Sequence, residues 1–406
     1  MSYRDTSVNG AGAIPAHIPP GLVHDFDPYA VAAEEDPHIV WKRVQDSAPR
    51  IFWSPQAGHW IVTRAEDIKA IQLDHERFSH SILGRGLPGG LKPLSSDPPE
   101  HGRLRAMLMP AFLPRAIKIL EDRARELAIS LIEAMKPRGE CEFVEDFARI
   151  LPMEVFLKMV GLPSSDRSML TAWVEGAIHG ARIDPPFGDR CLNNLRQYIE
   201  KTLEIRRTVP GDDVLSVIVL HESDGQRFTQ EECMSMATLL LLGGLDTVAS
   251  MIGFICRSLA MNPTLRHRIR DEPLLRPRAI EELLRRHGLS NTMRIVTQDT
   301  VFAGVTLKKG DPIQQAATCY GLDDSVVSHP MEIDLDREAP IPHAAFGNGP
   351  HTCPGQMLAR REIKVFLEEW LERIPDFQIK PGTRPQMRFL GLLAMKKLEL
   401  CWDPNQ

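Results

Sequence analysis

The chain has 406 residues, a formal net charge of −6 and 43% hydrophobic residues, enough to bury a large core. The acidic balance, with no basic stripe carrying interleaved aromatics, argues against a nucleic-acid-binding role. Its seven cysteines (141, 191, 233, 256, 319, 353 and 401) are scattered without a CxxC pair, which disfavours a zinc site or disulfide framework and fits a reducing compartment.

Residues 1–20 are polar and rich in Gly and Pro, lack the apolar run of a signal peptide or membrane anchor, and are expected to be disordered. No linker or composition break interrupts residues 21–406, which read as one domain, cytoplasmic and without a membrane partner. Asp36-Pro37 predicts a capped helix over 36–47, followed by an extended 58–63 and a helix over 64–73. Residues 82–96 form a loop punctuated by Gly84, Gly86, Pro88, Gly89, Gly90 and Pro93. Leu83, Leu87, Leu91 and Leu94 within it imply that the loop covers something apolar. Asp97-Pro-Pro-Glu100 then opens a helix on which His101 and Arg105 share a face. Helices are predicted over 114–135, 143–160, 165–180 and 193–209, with a loop at 182–188.

The stretch from Thr229 to Asn262 predicts a helix of about 50 Å at ~1.5 Å per residue. Thr229 and Glu232 make a capping box, and Asn262-Pro263 ends the run. So long and apolar a helix must cross the core, yet its centre reads Gly243-Gly-Leu-Asp-Thr247. Adjacent glycines cost roughly 1.5–2 kcal/mol relative to alanine, and a buried acid costs more unless paired. The Thr247 hydroxyl is placed to bond the Gly243 carbonyl and bend the helix. Two readings follow: close helix packing with Asp246 as a cap, or a kink that makes space for a reaction supplied with protons by an acid–alcohol pair. Further on, Glu282 and Arg285 can pair along one helix. A β-hairpin is expected over 301–313 with its turn at Lys309-Gly310, and a second one near the C-terminus with its tip around Leu390–Leu393.

The chain is organised around Phe346-Gly-Asn-Gly-Pro-His-Thr-Cys-Pro-Gly355, a tight loop that delivers Cys353 to the start of a helix ending at Pro375. A lone cysteine is most simply a buried structural one. A thiolate at a helix N-terminus, where the dipole and free N–H groups lower its pKa, is instead a metal ligand. With His351 beside it and a flat glycine loop, the string suits a haem held by an axial cysteine.

This string resembles the haem-binding signature of the cytochrome P-450 family, with His351 where most members carry arginine. The resemblance implies a mainly α fold with small β-sheets. A haem b (iron protoporphyrin IX) lies between the kinked helix and the Cys353 loop, with Cys353 as axial ligand. His101, Arg105, Arg294 and His351 are implied as haem contacts, and Glu282, Arg285 and Arg337 as a structural network. Asp246 and Thr247 match the family's proton-delivering pair. Pro354 departs from the pattern by lacking an N–H toward the sulfur, and a lower haem potential is expected. Gly-Gly-Leu-Asp-Thr-Val, Ala-Arg-Arg-Glu-Ile and Arg-Ile-Pro-Asp-Phe resemble the soluble bacterial camphor-hydroxylase branch.

The implied reaction inserts one atom of O2 into a substrate C–H bond. Electrons would come from a 2Fe–2S ferredoxin and its NADH-dependent reductase, to a monomeric enzyme. Arg105, Arg360 and Arg361 are candidates to dock that partner, with simple coverage of the helix as the alternative for the last two. Leu87, Gly89, Leu91, Leu94, Leu239, Leu242 and Leu392 are the expected substrate-lining positions. The branch bonds camphor through a tyrosine in the glycine-rich loop. The four tyrosines here (3, 29, 198 and 320) lie outside it, with Gly89 about where that tyrosine would be. A roomier pocket for a terpenoid or norisoprenoid is expected. The alternatives are a fatty-acid hydroxylase, a haem-thiolate peroxygenase or isomerase, and a non-catalytic haem sensor.

Overall fold

The computed structural model describes residues 14–85, 87–177, 184–223, 226–244 and 246–405. Helices carry most of these residues, with one five-stranded sheet and four smaller ones. Most of the segment expected to be disordered, residues 1–13, lies outside the described residues. Its end does pack: Ile18 is buried, and His17 Nε2 lies 3.0 Å from Asp311 Oδ2.

Helix α1 (Pro37–Ser47) starts as expected, with the Asp36 carboxylate accepting from the His38 N–H at 3.0 Å and Pro37 in the first turn. It buries Trp41, edge-on to Phe26 and Phe389, and Val44 in the core. The five-stranded sheet runs Ile51–Ser54, His59–Val62, Pro312–Gln315, Thr292–Val296, Phe78–Ser79. The first two strands are buried at every position, so they lack the alternation that marks a half-exposed strand. Helix α2 (Ala65–Leu73) and the loop through residue 99 lead to α3 (Glu100–Leu108). Asp97 does not cap α3. Its carboxylate accepts from Ser79 Oγ and, at 3.1 Å, from the His80 N–H, tying the start of α3 to the sheet edge.

The helical body comprises α4 (Pro114–Met135), α5 (Ile150–Val160), α6 (Arg167–Glu175), α7 (Pro185–Thr208) and α8 (Val214–Leu220). Residues 144–148, expected in one helix with α5, form a π turn instead. Helix α7 begins at Pro185, inside the loop expected at 182–188. Asp184 accepts from the Phe187 N–H at 3.1 Å, and the proline pair occupies the first turn, where no N–H is needed.

The long apolar stretch is described as two helices, α9 (Gln230–Gly244) and α10 (Thr247–Met261). The capping box forms: Thr229 N–H donates to Glu232 Oε2 at 2.9 Å and Glu232 N–H to Thr229 Oγ1 at 3.1 Å. By length and composition Gln230–Met261 would span a membrane, but it threads the protein core and its apolar window is 59% buried. There follow α11 (Pro263–Asp271), α12 (Arg276–Arg286), the short α13 (Ala317–Tyr320) and α14 (Gln356–Arg373). Helix α14 packs along α4 and also meets α10, α11 and α12.

Both hairpins differ from expectation in their pairing. The first joins Thr300–Phe302 to Val305–Leu307 through Ala303 and Gly304, both at positive φ. Two residues at positive φ match the twist of a tight hairpin, so the turn falls there and not at Lys309-Gly310. The second pairs Gln386–Phe389 with Leu393–Lys397, which keeps the expected tip; Glu399–Cys401 joins Gln378–Ile379 and Glu140–Glu142 instead.

Candidate active site

Cys353 reaches the start of α14 through two glycines at positive φ, Gly347 at 69° and Gly349 at 72°. A Cβ on Gly349 would sit 2.9 Å from the Gln72 carbonyl, so only glycine lets the loop lie against the end of α2. The Cys353 N–H closes the loop on the Phe346 carbonyl at 2.8 Å, and Asn348 Nδ2 donates to Gln72 Oε1 at 2.7 Å. The free thiol was expected to be acidified by the helix start. Burial instead pushes it up, against smaller opposing pulls from the backbone of Gly355, Arg105, Arg360 and the backbone of Gln356. Pro354 contributes none of these donors. Cys353 and Cys401 are only partly buried, whereas Cys141, Cys191, Cys233, Cys256 and Cys319 are buried. Cys319 points at the Trp41 carbonyl, 3.8 Å away, with its thiol held neutral by burial; it packs as an apolar side chain.

Next to this loop gathers a cluster of basic side chains. His351 stacks on His80 at 3.4 Å between centroids and meets His101 at 4.0 Å. Burial first, then His101, Arg294 and Arg105, hold His351 down to about 3. Burial also holds His80 well below the usual imidazole range, and it lowers Arg294 to about 9. Arg105 donates to the Thr352 carbonyl, which places it against the Cys353 loop. Asp97 is the one carboxylate that favours charge on His101 and Arg294. Neither ring nitrogen of His351 has a hydrogen-bond partner among the described residues, and His80 feels only a weak pull from the Leu94 backbone. Buried donors in excess, short of acceptors, fit the two carboxylates of a haem.

The sequence reading missed His80. No spacing marks it. It is brought here because Ser79 pairs with Ile295 in the sheet, next to Arg294. That register is invisible in one dimension.

Across the core, Thr247 Oγ1 donates to the Gly243 carbonyl at 3.3 Å. The adjacent glycines do different work. A Cβ on Gly244 would lie 2.4 Å from the Phe156 ring, so this glycine lets α5 pack closely, whereas Gly243 faces open space with nothing within 4 Å. The close-packing reading thus holds at Gly244, and Asp246 makes no side-chain cap to α10; Leu245 lies outside the described residues. The Asp246 carboxylate sits 3.9 Å from Arg388 Nη2 on the C-terminal hairpin.

Leu239 and Leu242 on α9, Leu87, Leu91 and Leu94 in the loop, and Leu392 at the hairpin tip are all half-buried. Gly89 is different. Its φ is 74°, and a Cβ there would strike Glu231 Cγ at 2.8 Å and approach Ser235 Cβ to 3.3 Å. It faces α9 and not a pocket, so its missing side chain makes no room for substrate.

Glu282 and Arg285 are fully buried and paired at 2.7 Å, and Arg337 Nε joins the same carboxylate at 3.1 Å. Arg285 also donates to the Gly321, Pro330 and Glu332 carbonyls, which clamps the segment before the cysteine loop onto α12. Arg360 is paired with Glu281 at 2.6 Å and lies over the Phe346 ring at 4.5 Å. Arg361 is 3.6 Å from Glu121.

A cysteine delivered by a glycine loop, with a carboxylate-hungry cluster beside it and a broken core helix elsewhere, defines a haem-thiolate protein. The sequence model of the cytochrome P450 family matches residues 189–402. A probable cytochrome P450 127A1 of Sinorhizobium fredii is 36% identical over 96% of this chain and 97% of its own. The mycinamicin IV hydroxylase/epoxidase of Micromonospora griseorubida is 33% identical over 88% of this chain and 93% of its own. The crystal structure of CYP101J2 superposes with a TM-score of 0.87 at 34% identity, covering 96% of this chain and 99% of that one. That of CYP101C1 gives 0.84 at 36% identity, covering 96% and 100%. The chain belongs to the cytochrome P450 family of haem-thiolate monooxygenases, which bind haem through a cysteine thiolate.

Proposed function

We propose that this monooxygenase hydroxylates a small cyclic apolar substrate, a terpenoid or norisoprenoid of about ten to fifteen carbons, a size suited to an enclosed apolar pocket. The observation that carries this reading is the run of half-buried leucines on three elements, Leu239 and Leu242 on α9, Leu87, Leu91 and Leu94 in the loop, and Leu392 on the hairpin tip. They offer contact area and no charge. His101, Arg105, Arg294 and His351, together with His80, would hold the haem carboxylates, and Cys353 the iron. The bound haem supplies the reductive cleavage of O2 that leaves one oxygen atom for the substrate. Asp246 and Thr247 supply the protons: the carboxylate takes them up from the Arg388 side, and the Thr247 hydroxyl, oriented by the Gly243 carbonyl, hands them on. A titration of the ferric enzyme with cyclic terpenoids and fatty acids tests the substrate class. A low-to-high spin shift with terpenoids supports it; a shift with fatty acids alone rejects it.

Electrons would come from a 2Fe–2S ferredoxin with its NADH-dependent reductase. A cleft of about 280 Å³ beside the cysteine helix supports this, with Phe112, Ile117 and Met357 as an apolar floor and Lys118, Arg361 and Lys364 around it, set against the single acid Glu121. Arg361 belongs to that face. Arg360, which pairs with Glu281, and Arg105, which donates to the Thr352 carbonyl, do not line that cleft. A cytoplasmic site is supported by seven unlinked cysteines among the described residues.

A further inference from the structure

Ser235 is completely buried on α9, inside the buried run Cys233–Thr238. A buried hydroxyl in an apolar helix usually turns back on its own backbone, as Thr238 does by donating to the Met234 carbonyl at 2.7 Å. Ser235 does not. Its Oγ lies 3.0 Å from the Gly89 carbonyl and 2.9 Å from that of Gly90, and it accepts the Lys92 N–H at 2.7 Å. One hydroxyl carries one proton and two lone pairs. It therefore donates to the glycine pair, shared between the two carbonyls, and accepts from Lys92.

Apart from the Lys92 ammonium, which pairs with Glu100 of α3 at 2.6 Å, the rest of the loop bonds mainly to itself. Leu87 N–H donates to the Gly84 carbonyl at 3.0 Å, and Gly90 N–H to the Leu87 carbonyl at 2.9 Å. Leu91 N–H donates to Ser95 Oγ at 2.9 Å. These bonds make the loop a knot but do not fix it to the helix. The attachment is the Ser235 hydroxyl, with Gly89 lying close enough to α9 that no side chain fits between them.

The position of this attachment matters. Leu239 and Leu242 follow Ser235 at four and seven residues, on the same face of α9, and lead to Gly243. The loop brings Leu87, Leu91 and Leu94 to the region. Its Pro88 borders an open cleft of about 460 Å³ whose other walls are Asn193 and Arg196 of α7 and Gln230 and Met234 of α9. The loop stands with one edge on that cleft and its anchor at the head of the leucine stripe.

We propose that Ser235 is a latch. Its hydroxyl holds the loop 87–92 shut on α9, and so sets how fast apolar ligands enter and how large a molecule is admitted. The inference rests on the reading that this loop and stripe border the substrate pocket. The test uses the holoenzyme carrying Ser235→Ala, with Thr238→Val as a control that removes a buried hydroxyl from the same helix without touching the loop. Two quantities are read: hydrogen exchange at the Lys92 amide, and the association rate of 4-phenylimidazole, a bulky aromatic ligand of haem iron. In Ser235→Ala both should rise roughly tenfold, the scale of one or two lost hydrogen bonds, while the reduced carbon-monoxide spectrum stays unchanged. Thr238→Val should move neither. Unchanged Lys92 exchange would show that the hydroxyl does not hold the loop. Faster exchange with unchanged association would show that the loop is not on the entry route. Equal effects in Thr238→Val would show general loosening of α9; any of these three overturns the latch. The terpenoid reading is decided separately, by the spin-state titration of the unmodified enzyme.

Discussion

Glycines 243 and 244 are neighbours in sequence and opposites in environment, and a single methyl group separates their roles. Gly244→Ala drives a Cβ into the Phe156 ring. Overpacking of this kind costs roughly 1–3 kcal/mol, so thermal unfolding of the variant should show a clearly lower midpoint. Gly243→Ala meets nothing within 4 Å. It should keep or slightly raise the wild-type midpoint, since alanine is the better helix former, and change ligand-binding spectra as well. Equal midpoints for the two variants would contradict this division. The acid–alcohol pair is tested at the same scale. Asp246→Asn removes the carboxyl proposed to transfer protons, a kind of group worth roughly 10²–10⁴-fold in rate. Turnover should fall by about that much with the haem spectrum intact. Thr247→Ala should divert NADH consumption from product to reduced oxygen species, measured as product formed per NADH oxidised.

At the scale of the element, α14 carries both the start that receives Cys353 and a buried acid. Glu362 is nearly inaccessible, and burial alone raises its pKa to about 8. The folded protein therefore keeps this proton while the unfolded chain releases it above its ordinary value near 4.5. Stability contributed by the neutral carboxyl is complete below pH ~4.5 and is lost as pH rises toward ~8, because the unfolded state binds fewer protons there. Glu362→Gln should unfold at the wild-type temperature near pH 4.5 and at a higher one at pH 8. A variant no more stable than wild type at pH 8 would contradict this sign. The clamp on α12 behaves differently. Arg285→Ala leaves Glu282 with Arg337 alone and strips the Gly321, Pro330 and Glu332 carbonyls of their donor, so the variant should unfold at a clearly lower temperature and yield little haem-loaded protein.

How far the sequence revealed these elements depended on whether a residue's role was local. The capping box at Thr229, the Asp36 cap, the Thr247 back-bond and the glycine turn before Cys353 are set by residues within a few positions of one another, and each was readable. The start of α7 was misread because Pro185-Pro186 looks like a breaker and is in fact a first turn. The hairpin at Ala303-Gly304 was displaced because Lys309-Gly310 carries the more familiar turn pair. His80, Arg388 and the orientation of Gly89 depend on strand register and on the approach of a distant helix, which one sequence does not encode in any spacing. The free Cys353 thiol went the other way from the dipole argument because burial outweighs a helix terminus.

Over the whole molecule, the two halves of the site sit on separate pieces of chain. Cys353 and the basic cluster beside it come from α3, the five-stranded sheet and the loop before α14; Asp246 and Thr247 come from the α9–α10 break. The Glu282–Arg285–Arg337 clamp keeps the chain leading to the cysteine loop against α12. The cleft by Met357 and Arg361 lies on the cysteine side. Arg361→Glu should raise the KM for ferredoxin several-fold, more at low ionic strength than at high, and leave substrate affinity alone. The central claim is a bond between the sulfur of residue 353 and haem iron, and the reduced carbon-monoxide difference spectrum reads it directly. Wild type and Cys319→Ser should both give a Soret band near ~450 nm, as thiolate ligation requires, and Cys353→Ser should lose it. A Cys353→Ser protein that keeps the band, or a wild type that never shows it, would contradict the account.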